Sequence, residues 1–388
     1  MMPIRKKVRE MLKHLMKVLR LTCLFLLAFG IRCLVWLTDV RRYLGLIEYD
    51  GGAYISWGRE MFSRVCRGDW SGFLVNPVHP PLGKLMIGAF TYLMDPMLDP
   101  YRSATLLMCV ISSITSILVY KIGSIMVNER CGLIAWTVYS FDPFSIHWTI
   151  AWLDTPALLF ITLTQYLLLN GWKRSCFPVL ALAFYYLALL TKFQVFLFLP
   201  AILIFLNAKK ERAAFILAVL ISLLLNPQFM LSRGFEKVVL ENLSLTSRSF
   251  QALRSSYNLL LLIPIEFFYR VCVGYVEANV LPYLSPLILF YLLFWRKSGL
   301  GNELAAKWFL LTLIGVIIVP RLLVQGYYYV YTTVPISLLI SSITIHNKPA
   351  VREHYLVKLF SIGSLLSVTS LFLNPECWKT LLLFIAEA

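Results

Sequence analysis

Long apolar runs separated by short polar joints organise this chain. They are centred near 21–39, 103–126, 131–147, 156–172, 177–191, 193–207, 213–226, 279–295, 305–320, 327–345 and 356–373. Each is apolar throughout rather than at every second position, which predicts helices and not strands. Lipid permits only helices or closed barrels, and several runs sit near the lower limit of about 17 residues for a span. The pattern predicts an all-α polytopic membrane protein, a bundle of about 11 transmembrane helices.

Two longer polar stretches interrupt the runs and divide the chain. Residues 1–226 read as an N-terminal transmembrane module that includes an outer loop at 40–102. Residues 227–278 read as a second outer, juxtamembrane segment, and 279–388 as C-terminal transmembrane helices. Within the first loop, 54–65 is amphipathic, and 82–94 is apolar but lies between Pro80-Pro81 and Asp95-Pro96. Thirteen residues at 1.5 Å rise reach only about 20 Å against a hydrocarbon core of about 30 Å, so 82–94 is predicted to lie at the membrane surface.

Charge sets the orientation. Arg5, Lys6, Lys7, Arg9, Lys13, Lys17 and Arg20 precede the first run against the single acid Glu10, placing the N-terminus in the cytoplasm. If 82–94 does not cross, Arg130, Lys173, Arg174, Lys209, Lys210, Arg212, Arg296, Lys297, Lys348 and Arg352 fall in short cytoplasmic loops, leaving Lys192 and Arg321 in short outer ones. Counting 82–94 as a span would reverse that bias.

Composition narrows the class further. Hydrophobic residues make up 59% of the chain, charged residues 14%, and mean hydropathy is +0.74, which excludes an ordinary water-soluble domain. The net charge of +16 is about half accounted for by the cytoplasmic collar, which suits anionic lipid headgroups. No basic, aromatic-interleaved patch stands clear of the membrane, so nucleic acid is not an expected partner. The eight cysteines are scattered without paired spacing and read as small apolar fillers.

Against this background a few ionisable residues stand out. Asp50, His79, Lys84, Arg102, Asp154 and Lys192 all fall at the outer ends of runs or in the first outer loop. A charge at the bilayer centre costs roughly 2.5–3.5 kcal/mol, so each needs an interface, a cavity or a partner. For Asp50 the simplest role is a helix N-cap, which leaves its carboxylate ionised and able to act as a base. Pro80-Pro81 fix the chain direction after His79.

The run His79-Pro80-Pro81-Leu82-Gly83-Lys84, following an acidic first loop, resembles the protein O-mannosyltransferase family, whose first outer loop ends in the same six residues. That family and the related lipid A aminoarabinose transferases also have an acidic motif soon after the first span, where Asp50 stands. An Arg opens their next helix, as in Tyr101-Arg102-Ser103. A Leu-Asp pair follows, as in Leu153-Asp154-Thr155-Pro156, and a later outer-end Lys, as in Thr191-Lys192-Phe193. Arg321 and Tyr327-Tyr328-Tyr329 resemble the aromatic start of a late helix. The family's Asp-Glu pair is absent, because Gly51 follows Asp50 and Glu48 is the only second carboxylate nearby.

The resemblance implies a GT-C fold and an inverting transfer of sugar from a polyprenyl-phosphate carrier to a hydroxyl of a protein or glycolipid, at the outer face of the plasma membrane. Asp50 is the expected base. Lys192, Arg102 and His79 are the expected phosphate ligands, with Glu48, Lys84, Asp154, Arg321 and Tyr328 in support. A divalent metal held by Asp50 with His79 is conceivable, although two ligands are too few to argue it from the sequence. A transporter or flippase, or a non-catalytic subunit that binds the lipid carrier, is the alternative. Transporters tend to show repeated halves and midplane charges, and this chain shows neither.

Overall fold

The computed structural model describes residues 2–38, 49–76, 79–142, 145–146, 149, 152–170, 177–206, 208–226, 300–318 and 330–346. Among them every regular element is helical. In chain order these are α1 (Met2–Thr38), α2 (Tyr49–Cys66), a 3-10 turn (Trp70–Leu74), α3 (Pro81–Met94), α4 (Pro100–Met126), α5 (Glu129–Phe141), α6 (Asp154–Asn170) and α7 (Phe177–Thr191). A second 3-10 segment (Phe193–Phe198) leads into α8 (Leu199–Leu203), followed by α9 (Lys209–Leu224), α10 (Leu300–Ile318) and α11 (Val330–His346). The runs predicted at 279–295 and 356–373 lie outside the described residues.

Among the described residues two stretches are long and apolar enough to cross a membrane, Val8–Leu34 within α1 and Pro100–Met126, which is α4. Helix α4 is the central post, packing on α1, α5 and α6. Its inner face is built from Ser112, Ser113, Thr115 and Ser116, all buried. Small residues let helix backbones approach closely where lipid supplies no hydrophobic driving force. Ser113 and Thr115 donate to the carbonyls four residues back, at 2.6 and 3.1 Å, and Ser116 donates to Ser113 O at 2.7 Å, so no hydroxyl of these three is stranded in the bundle.

Antiparallel pairing sorts the helix ends. Helix α4 begins at Arg102's end and finishes where Arg20 of α1 meets Glu129 at 2.8 Å, some 25 residues or roughly 37 Å away. Helices α5, α6 and α7 then run back and forth, which returns the starts of α4 and α6 and the finish of α7 to one end.

The predicted span 193–207 departs from expectation. It forms the 3-10 segment and then the five-residue α8, with Pro200 in the first turn. Proline lacks an N–H and its ring clashes with the carbonyl four residues back, so one α-helix cannot run through this stretch.

Helices α2 and α3 form a pair that packs on α4, with α3 also against α7, and α3 (Pro81–Met94) is the short helix expected over 82–94. They cross where Gly58 meets Gly88, so closely that a Cβ on Gly88 would collide with the Gly58 backbone. Gly88→Ala should therefore force the pair apart at a cost of about 1–3 kcal/mol, the usual range for overpacking. Earlier proteolytic cleavage within 49–94 than in the parent protein would show it. At the far end Arg59 grips Asp95 with two bonds, 2.7 and 2.5 Å, and holds that carboxyl below its ordinary range. A lowered carboxylate pKa stabilises above the unfolded value and is lost as pH falls through the folded one. Asp95→Asn should therefore lower the melting temperature slightly at neutral pH and leave it unchanged in strong acid.

Candidate functional site

The site begins with how α3 is anchored. Pro80 ends the loop in extended backbone and Pro81 opens the helix, as the two prolines require. One turn on, Lys84 is fully buried. Its ammonium donates to three backbone carbonyls, Val75 O at 2.8 Å, Asn76 O at 2.6 Å and His79 O at 2.7 Å. An ammonium has three N–H donors, and each meets one acceptor. Burial pulls the Lys84 pKa down to about 7, while the three carbonyls oppose that shift by favouring the charged form.

Lys84 thereby fastens the loop that carries His79. Asn76 lies in that loop at φ 48, a left-handed conformation that a non-glycine residue keeps only when its surroundings hold it. Lys84→Met should release the segment, with amide exchange over 75–79 faster by roughly 10²-fold, the loss of one or two charge-assisted hydrogen bonds. Exchange at the parent rate would mean the three contacts hold nothing in place.

His79 points to α2. Its Nε2 lies 3.4 Å from the Tyr54 hydroxyl, and the two rings meet edge to face with centroids 5.2 Å apart. Tyr54 is nearly fully buried and sits one helical turn after Asp50. Asp50 itself stands inside the first turn of α2, which begins at Tyr49, rather than ahead of the helix as an N-cap would. Its side chain, together with Glu48, Arg321 and Tyr328, lies outside the described residues.

Gly83 connects this motif to the bundle. A Cβ there would sit 2.7 Å from a methyl of Leu153 and 2.9 Å from the methyl of Thr191. Those are the residues immediately before Asp154 and Lys192. Only a glycine lets α3 settle this close to both.

Asp154 and Lys192 form a buried ion pair at 2.5 Å, with side chains 6% and 2% exposed. Asp154 opens α6, and Lys192 leaves α7 in extended backbone with φ −155 and ψ 123. Taking both charges out of water is repaid only by close geometry and additional polar contacts. Yet Asp154 Oδ1 is buried without a hydrogen-bond partner, as are Tyr101 Oη and Thr105 Oγ1 on α4. Buried polar atoms left in this way cost about 1–3 kcal/mol each, so three such atoms near the Asp154–Lys192 pair set this region apart from an ordinary packed core.

Arg102 belongs to the same end but is engaged differently. Asp99 caps α4 by accepting from Tyr101 N and Arg102 N, both at 3.0 Å, and its second oxygen is 3.1 Å from Arg102 Nε. The guanidinium thus pairs with Asp99, while Asp154 takes Lys192. An apolar cluster ties the parts together: Tyr54 and Ile55 from α2, Ile87 from α3, Ala104, Met108 and Ile111 from α4, and Leu153, with Tyr101 packed against it. Five of the predicted residues, His79, Lys84, Arg102, Asp154 and Lys192, therefore stand in or beside one continuous packing unit.

The sequence reading passed over three groups of residues. Tyr54 was discoverable from its four-residue spacing to Asp50. The hydroxyls of Tyr101 and Thr105 carry no comparable signal, because tyrosine and threonine are ordinary at helix ends. Arg32 lies in an apolar run, which alone marks an intramembrane cation as notable. It is buried and donates to Ser112 Oγ at 2.7 Å, Ala28 O at 3.1 Å and Ser145 Oγ at 3.4 Å, bracing α1 against α4 and the connection that leads to Asp154. No three His, Cys, Asp or Glu side chains converge among the described residues.

Residues 78–230 match the family described as dolichyl-phosphate-mannose-protein mannosyltransferase. The matched stretch starts one residue before His79 and takes in Lys84, Arg102, Asp154 and Lys192. No curated protein matches the chain.

Proposed function

With a GT-C family domain over 78–230 as the premise, we propose that this membrane protein is an inverting glycosyltransferase that moves a sugar from a polyprenyl-phosphate carrier to an acceptor hydroxyl at the outer membrane face. The observation that carries the reading is the contact of Gly83 with Leu153 and Thr191, which seats the His79–Lys84 motif on the Asp154–Lys192 pair. A carrier lipid keeps its tail in the bilayer, so its sugar phosphate must be met where helices end, and these residues all stand at helix ends.

Asp50 serves as the base. As the acceptor oxygen attacks the anomeric carbon, its proton passes to the Asp50 carboxylate. The bond from that carbon to the phosphate oxygen breaks, and its electron pair leaves with polyprenyl phosphate. Attack from the face opposite the phosphate inverts the anomeric configuration. Hydroxyls are poor nucleophiles until the proton is taken, so such a base is worth about 10²–10⁴ in rate.

Negative charge grows on the departing phosphate, and cations fixed toward it stabilise the transition state more than the ground state. Lys192 is the principal one. Asp154 holds its ammonium in place, and Arg102 and His79 complete the phosphate pocket. Lys84 acts at one remove, by holding the loop of His79. Asp50 and His79 are the residues that would hold a divalent ion, which would supply Lewis-acid assistance to the leaving phosphate; Arg321 and Tyr328 are assigned supporting roles.

The test is to incubate the purified protein with a panel of labelled polyprenyl-phosphate sugars and cell membranes, and to identify the component that acquires label. Transfer from one donor with release of polyprenyl phosphate supports the reading. Vectorial movement of intact donor across vesicles, with no bond broken, would replace it with the flippase alternative.

A further inference from the structure

Helix α2 continues past Tyr54 with a second set of groups. Positions 50, 54, 57, 60 and 64 recur at helical spacing, so Trp57, Glu60 and Arg64 extend the stripe that starts at Asp50. Together with Ser71, Leu74, Val75 and Asn76 they line an open cleft of about 680 Å³. It adjoins the candidate chemistry directly. The Trp57 ring meets Tyr54 edge to face with centroids 5.9 Å apart, and Tyr54 in turn meets His79. Its opposite wall is the loop that Lys84 clamps, with Asn76 held at positive φ.

The lining selects the chemistry of an occupant. Trp57 offers a flat apolar ring, and Glu60 and Arg64, paired at 2.6 Å and each about half exposed, offer acceptors and donors beside it. The Ser71 hydroxyl, which donates to Asp69 at 2.5 Å, keeps its own lone pairs for a further donor. A sugar ring has an apolar C–H face and a rim of hydroxyls that donate and accept, and it fits both halves of this lining.

Length agrees with this. From Asp50 to Trp57 is seven residues, about 10 Å along the helix, and to Arg64 fourteen, about 21 Å. We propose that this cleft binds the body of an oligosaccharide, so that the acceptor is a glycan chain lying along α2 with its terminal hydroxyl delivered to Asp50. The glycan's part in transfer rests on the glycosyltransferase reading above; its binding does not.

The experiment is a titration of the purified, detergent-solubilised full chain with gluco- and manno-oligosaccharides from mono- to tetrasaccharide, followed by calorimetry. The expected result is binding that tightens with length and weakens by roughly tenfold or more in Trp57→Ala, the scale of an aromatic anchor. Because Trp57 also packs on Tyr54, Glu60→Gln provides an independent variant on the exposed rim, expected to weaken binding without lowering the melting temperature. Absence of binding across the ladder in the parent protein, or equal binding by both variants, overturns the proposal. Transfer of labelled sugar from the polyprenyl-phosphate donor to the oligosaccharide is measured alongside. Its absence while the parent protein still binds the oligosaccharide counts against the transferase reading alone, and its loss in Trp57→Ala together with oligosaccharide binding locates the defect in the acceptor cleft.

Discussion

Replacing Lys192 with methionine is expected to destabilise the protein by about 3–5 kcal/mol, because it leaves the Asp154 carboxylate buried without its cation. Thermal unfolding in detergent measures this directly. A second variant separates folding from chemistry. Substituting both partners, Lys192→Met with Asp154→Leu, removes the charges together and replaces them with apolar groups of similar size, which is often close to neutral for a buried pair. Folding should largely return in the double variant, but glycosyl transfer should not, since no ammonium remains to meet the leaving phosphate. Recovery of transfer along with stability would make the pair a structural brace and nothing more.

Asp50→Asn should reduce transfer by about 10²–10⁴ while leaving donor affinity close to that of the parent protein. Asparagine keeps the shape and cannot take a proton at neutral pH. Asp50 lies in the first turn of α2, where a carboxylate and an amide are similar in size, so the substitution should hardly change the melting temperature. Unchanged transfer would remove Asp50 from the role of base, with Glu48 the nearest carboxylate to try next.

The all-helical character and the proline-fixed start of α3 were legible in the sequence because each depends on local chemistry. Apolar runs, Pro80-Pro81 and the thirteen-residue length of 82–94 all act within a few residues. The break at 193–207 was also written locally, in Pro200, but the apolar run concealed it. What could not be read were distances across the fold. Lys84 looks from its sequence like a surface cation beside a membrane, and only the returning loop at 75–79 makes it a buried clamp. Arg102 had two carboxylates on offer; the nearer one, Asp99, captured it as part of the cap that starts α4. Gly83 is similar. Its importance comes from Leu153 and Thr191, 70 and 108 positions away in the chain.

In the proposed function, the end of the bundle marked by His79, Asp154 and Lys192 receives the sugar phosphate of a lipid-linked donor. Photolabelling with a polyprenyl-phosphate sugar bearing a diazirine on the sugar, followed by peptide mapping, tests it most directly. The account predicts label within 49–57, 79–84, 101–105 and 153–154, suppressed by excess unmodified donor. Label concentrated at the other end of the bundle, around Glu129 or Lys209 to Arg212, would contradict it.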